Sequence, residues 1–114
     1  MSDDYLDNIH HLNLQRLLDI IIEYRENLPE PNMGWPKADF DNASYSIWAA
    51  DEIIKAIMTH PEKTVGQVIE DFKYSMSKGY TAYMRFPSVQ TIFNVGYSVA
   101  SDIDDILYAY GEVI

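Results

Sequence analysis

The chain has 114 residues, 18 acidic and 8 basic, a net charge of −10, and 47% hydrophobic content. That length supports one domain with its own core and excludes two ordinary ones. With no cysteine, disulfides, thiolate metal sites and thiol nucleophiles are excluded, and a reducing compartment fits.

The negative balance repels phosphates and anionic headgroups, so neither nucleic acid nor a membrane is expected as a direct partner. A basic protein is the partner that such a surface attracts. Met1-Ser2-Asp3-Asp4 offers no basic leader. The longest aliphatic run, Ile20-Ile21-Ile22, is far short of the ~20 residues a membrane span requires. A cytoplasmic protein is expected.

The first element is a helix over residues 3–28. Asp3, Asp4 and Asp7 suit the positive end of its dipole. Leu6, His10, Leu14, Leu17, Ile21, Tyr24 and Leu28 recur at steps of three and four and form one face. Tyr5, Ile9 and Leu12 fall nearly opposite, so the first half of the helix is apolar on two sides. That second side is a candidate dimer face.

Pro29, Pro31, Gly34 and Pro36 break the helix. A long loop is expected from Pro29 to Asn42, folding back on the bundle through Met33, Trp35 and Phe40. The second helix is expected over residues 43–60, with Ile47, Ala49, Ala50, Ile53, Ile54, Ile57 and Met58 as its apolar half. Tyr45, Trp48 and Glu52 project from its polar half.

Pro61 ends that helix, and Thr64 with Gln67 has capping-box spacing, which predicts a third helix over residues 64–78. Its inner face is Val65, Val68, Ile69, Phe72 and Met76, and Gly79 suits its stop. An aromatic loop follows, and Ser88 is placed to cap a fourth helix over residues 88–110. Val89, Ile92, Phe93, Gly96, Val99, Ala100, Ile103, Leu107 and Tyr110 share one face of it, and the small pair Gly96 and Ala100 admits a close neighbour. No segment alternates like a strand. The expected architecture is an all-α single domain, an antiparallel four-helix bundle.

Two groups of residues suit a protein interface, where rigid rings supply contact area and carboxylates meet Lys or Arg. They are Tyr45, Trp48 and Glu52 on the second helix, and Tyr97, Asp104 and Tyr108 on the fourth. The reading they favour is a small acidic, non-enzymatic interaction module. It would be an immunity- or antitoxin-type inhibitor, or a phage or mobile-element accessory protein, that binds a basic partner and needs no cofactor. A helical homodimer of purely structural role is a further alternative.

An enzymatic alternative rests on carboxylate pairs. Glu23-Tyr24-Arg25-Glu26 resembles the E-x-x-E half of the MazG-type nucleotide pyrophosphatases, and Asp102-x-x-Asp105 stands where that family has E-x-x-D. The resemblance implies Mg²⁺ held by Glu23, Glu26, Asp102 and Asp105 for attack on a phosphate. Here the second motif is Asp-x-x-Asp and lies far downstream, and both pairs are expected to face water and away from each other. His10 and His11, with Asp7, offer ligand atoms, but adjacent residues on a helix point ~100° apart and do not converge on one ion.

Overall fold

The computed structural model describes residues 3–109, with side chains from Leu14 to Ala109. It holds four helices: α1 (Asp3–Glu26), α2 (Lys37–Thr59), α3 (Val65–Ala82) and α4 (Pro87–Ala109). There is no strand among the described residues. The expected all-α four-helix bundle is what forms.

Packing pairs fix the directions. Trp48 of α2 meets Phe72 of α3. Lys73 of α3 reaches Asp104 of α4, and Gly79 lies under Phe93. Tyr24 of α1 reaches Asp102, Ile20 one turn earlier shares a groove with Ile106 one turn later, and Arg25 reaches Asp51. Each helix therefore runs opposite to the one before it. The parallel pair α2 and α4 forms the close centre, with α1 and α3 on its two flanks.

The centre is dry. Ala49, Ala50, Ile53, Ile69, Ala100 and Leu107 are fully buried, as is Ile21 of α1, and no polar or charged residue is buried among the described residues. Each large apolar side chain removed from water in this way contributes ~1.5–3 kcal/mol. The spacing that predicted the inner faces of α3 and α4 is the spacing of the buried residues Val65, Val68, Ile69 and Met76, and Val99, Ala100, Ile103 and Leu107. Met58, expected on the apolar half of α2, is exposed.

The element ends differ from the sequence reading in four places. α2 begins at Lys37, so the long loop shrinks to 27–36. Pro36 stands just before the helix, where a fixed φ of −51° costs nothing, and Lys37 pairs with Asp41 one turn on. Asn32 organises what loop remains, its carbonyl accepting from Trp35 and its side chain from Gly34. Met33 is exposed, and Leu28, not Met33, packs against the core. α1 itself closes at Glu26.

α3 does not stop at Gly79 but runs to Ala82. Gly79 is a packing residue: a methyl built there would overlap the Phe93 ring. Gly96 has the same role on α4, where a methyl would lie 2.5 Å from the Met76 sulfur. The close neighbour that Gly96 admits is therefore α3. Thr64 accepts from the Gln67 amide at 3.0 Å as expected, while the Gln67 side chain turns to Asp71 instead of closing the box. α4 starts at Pro87, not after Ser88, because the Phe86 carbonyl already accepts from Val89 and Gln90.

Tyr24 level with Asp102 and Arg25 level with Asp51 place the second half of α1 against the C-terminal halves of α4 and α2. By the same register, the residues of α1 before Asn13 run past the last described turn of α4. This explains a long axis of 56 Å, when a helix the length of α4 spans about 35 Å.

Gly79→Ala separates the two readings of this glycine. Relief of helix strain alone would stabilise by up to ~1 kcal/mol. Overlap with Phe93 reverses the sign, and a net loss of about 1–2 kcal/mol is expected in urea unfolding. Phe93→Leu added to Gly79→Ala should recover part of it.

Candidate functional site

Two surfaces of opposite character lie on this scaffold. The first is acidic and borders the α1–α4 seam. Glu23 and Glu26 close α1, Asp102 and Asp105 occupy the later turns of α4, and all four are exposed. Glu23 lines a shallow groove with Ile20, Tyr24, Asn27 and Ile106. Glu23 and Asp102 border the α1–α4 seam, and all four carboxylates face water, as expected.

Tyr24 joins the two helices there, its hydroxyl donating to Asp102 Oδ2 at 3.5 Å. Burial, then the charge of Asp102 and the hydrogen bond to it, push the Tyr24 hydroxyl up to about 12. No group of three metal-binding side chains converges here or elsewhere among the described residues. The four carboxylates form a face and not a cage.

Four of the eight described cations pair with carboxylates of the chain. Arg25 bonds to Asp51 at 2.9 Å, Lys37 to Asp41 at 2.6 Å, Lys63 to Asp71 at 2.8 Å and Lys73 to Asp104 at 2.7 Å. No salt bridge among the described residues engages Glu23, Glu26, Asp102 or Asp105. These four exposed carboxylates therefore carry charge that no salt bridge among the described residues offsets.

The second surface has no acid at all. From Phe72 to Ser101 the sequence holds Lys73, Lys78 and Arg85 and not one of the 18 acidic residues. This segment is the α3–α4 hairpin. Between its helices lies a groove of about 180 Å³ lined by Met76, Ser77, Tyr80, Phe93, Asn94 and Tyr97. Phe93 stacks on Tyr83 with centroids 5.7 Å apart, and Phe86 sits edge-on to the same ring. Tyr80, Tyr83, Met84, Phe86 and Tyr97 are all exposed. Contiguous exposed apolar surface of this kind marks binding sites in soluble domains.

The residues singled out from sequence fall on both sides of α3. Trp48 is one-third exposed and rests on Phe72 of α3, its ring centroid 6.1 Å away. Glu52 follows one turn later, half-buried. Tyr45 lies at the other end of α2 in an open groove with Lys37, Asp41, Ser88 and Thr91. Tyr97 is a wall of the hairpin groove and lies 6.0 Å from Lys73 Nζ.

Asp104 turns toward α3, where Lys73 holds it, and both side chains are largely covered. That hydrogen bond, chiefly, holds the Lys73 ammonium above its ordinary range. Tyr108 is 84% exposed, one turn beyond Asp105. The candidate dimer residues Tyr5, Ile9 and Leu12, and His10, His11 and Asp7, belong to α1 but lie outside the residues whose side chains are described.

The hairpin groove was not assembled from sequence, although its aromatic content was plain. The signal that would have found it is the acid-free interval, which appears only when charge is read by position and not in total. No family model matches the chain, and no curated protein or solved structure is significantly similar to it.

Two predictions follow from these pairs. Tyr24 keeps its proton in the folded state after an unfolded tyrosine, near 10, has lost it. Its contribution to stability is therefore complete below about pH 10 and disappears as pH rises toward 12. Ultraviolet titration should show one late-ionising tyrosine, absent in Tyr24→Phe. Asp104→Asn removes a part-buried, charge-assisted bond and should cost about 1–2 kcal/mol in denaturant unfolding, against no more than about 0.5 kcal/mol for Asp105→Asn on the exposed side.

Proposed function

We propose that the chain is a non-enzymatic protein-interaction module that engages a basic protein through the acidic α1–α4 side. One observation carries this reading: Glu23, Glu26, Asp102 and Asp105 are all exposed, and no salt bridge among the described residues engages them, while four of the chain's cations are paired with other carboxylates. Such a face raises encounter rates with a positively charged surface and repels anionic ones. Tyr108, beside Asp105, supplies a rigid ring of the sort that anchors contacts. A module with these properties suits an inhibitor that covers the basic, phosphate-binding surface of a nuclease, as immunity- and antitoxin-type proteins do.

The experiment is affinity capture from the native host on wild-type protein and on the Glu23→Gln/Glu26→Gln/Asp102→Asn/Asp105→Asn variant, with association kinetics for what is retained. The expected partner is basic, associates at least tenfold more slowly with the variant at low salt, and loses most of that difference at high salt. An affinity insensitive to both salt and neutralisation contradicts the reading. So does Mg²⁺-dependent hydrolysis of a nucleoside triphosphate that Asp102→Ala or Asp105→Ala abolishes, which would favour the pyrophosphatase alternative.

A further inference from the structure

The groove on the α1–α4 seam has an order along its length. Ile20, Glu23, Tyr24 and Asn27 stand at i, i+3, i+4 and i+7 on α1 and line it from one side. Ile106 lines it from α4, and Asp102 stands one turn before Ile106 on the same face of that helix. The two helices are antiparallel, so Ile20 lies level with Ile106, and Tyr24 with Asp102. One end of the groove is therefore aliphatic. The other, one turn or about 5.4 Å along, is bordered by a carboxylate, with Glu23 and Asn27 on its rim.

The polar end has acceptors to spare. Tyr24 donates to Oδ2 of Asp102, and no other hydrogen bond among the described residues reaches that carboxylate. None reaches the side chain of Glu23 or of Asn27 either. Arg25, the cation next to Tyr24, turns away onto Asp51 of α2 at 2.9 Å. Arg16 belongs to the groove stripe but stands one turn before Ile20, beyond the aliphatic end. Side chains on a helix lean toward its N-terminus, which carries Arg16 away from Asp102.

The groove measures about 280 Å³, just below the roughly 300–1,000 Å³ of small-molecule sites, and it suits a single inserted side chain. That side chain needs an aliphatic stem for one end and a cation for the other. Lysine and arginine both have such a stem. A guanidinium also bonds carboxylates through a planar fork and stacks on aromatic rings, and here the Tyr24 ring lines the groove beside two carboxylates. An anion is repelled by the same carboxylates, and a wholly apolar side chain leaves their charge unanswered. A divalent ion lacks a ligand set, since no three metal-binding side chains converge among the described residues.

We infer that the α1–α4 groove is the slot for one arginine side chain of the partner, its stem between Ile20 and Ile106 and its guanidinium against Tyr24, Asp102 and Glu23. This rests on the reading that the partner is a basic protein and names the contact at which that protein is anchored. The remaining exposed carboxylates then act at longer range, on encounter, and the slot acts on residence.

The test is titration of ¹⁵N-labelled protein with N-acetyl-arginine methylamide at constant ionic strength, followed by backbone amide shifts, with the citrulline and lysine counterparts in parallel. Arginine produces saturable shifts centred on Ile20, Tyr24, Asn27 and Ile106, in the millimolar range expected for one side chain. Citrulline, which keeps the stem and the planar head but not the charge, binds at least fivefold more weakly, and lysine falls between them. Glu23→Gln weakens arginine at least fivefold, as does Ile106→Ala, which changes no charge. Glu23 lies on the exposed rim, so its variant reports on the slot without disturbing the core, and the amide spectrum shows that both variants are folded.

Shifts scattered over every acidic residue without saturation overturn the inference. So do citrulline or lysine binding as tightly as arginine, indifference to both variants, or Mg²⁺ saturating the same amides and displacing arginine. The slot and the wider reading fail separately. A basic partner lost on neutralising the four carboxylates, with no saturable arginine shifts, overturns the slot alone. Saturable shifts with no charge-dependent partner overturn the wider reading alone.

Discussion

The close approach of two parallel helices determines the remainder of the fold. Ala49 and Ala50 on α2 and Ala100 on α4 are fully buried, in the helix pair that makes the centre of the molecule. Side chains this small let the helix axes come together, and the larger Ile53, Ile57, Ile103 and Leu107 then fill the layers below. A parallel pair cannot be joined by a tight turn, so α3 must return between them in sequence while lying to one side in space. The same requirement sends α1 to the opposite flank. A larger residue at any of the three alanines would force these two helices apart and loosen both flanks together.

The α3 flank shows how packing decides what remains outside. Gly79 and Gly96 remove two side chains from the α3–α4 seam, Phe93 and Met76 occupy the vacated positions, and the helices close up. Tyr80 and Tyr97 flank that seam and are too large to enter it, so they stand at its outer edge and become the walls of the groove. The exposed aromatic surface is thus a consequence of a tight seam and not of a poor one.

Much of this was legible from periodicity, because apolar spacing reports burial directly. The inner face of α3, that of α4 apart from the exposed Val89, the second half of α1 and the Thr64 cap could all be read. What could not be read depends on residues distant in sequence. Gly79 has the composition of a helix stop, and only Phe93, which reaches it from α4, shows that it lies inside the helix. Lys37 to Asn42 looks like loop because it is polar, yet Pro36 and the Lys37–Asp41 pair start a helix there. Asp104 looks like an advertised carboxylate until Lys73, on another helix, is seen to hold it. Trp48 looks exposed for a partner until Phe72 is placed beneath half of it.

The positions of the carboxylates run against the interests of the helices that carry them. Glu23 and Glu26 stand in the last turn of α1, where the dipole is negative, with Arg25 as the favourable exception. An acidic residue in that position destabilises by ~0.3–1 kcal/mol, where a lysine would stabilise by a similar amount. Asp102 adds like charge across the seam, its carboxylate meeting the Tyr24 hydroxyl and no salt-bridge partner among the described residues. Asp71 and Asp104, by contrast, sit where a lysine can reach them, and Asp39 occupies the first turn of α2, where negative charge is favoured. Within one chain, then, some carboxylates are placed as fold stability requires and others are placed against it. The second group belongs to α1 and α4, with Glu23 and Asp102 at the seam between them, and it is there that selection for something other than stability is the simpler account.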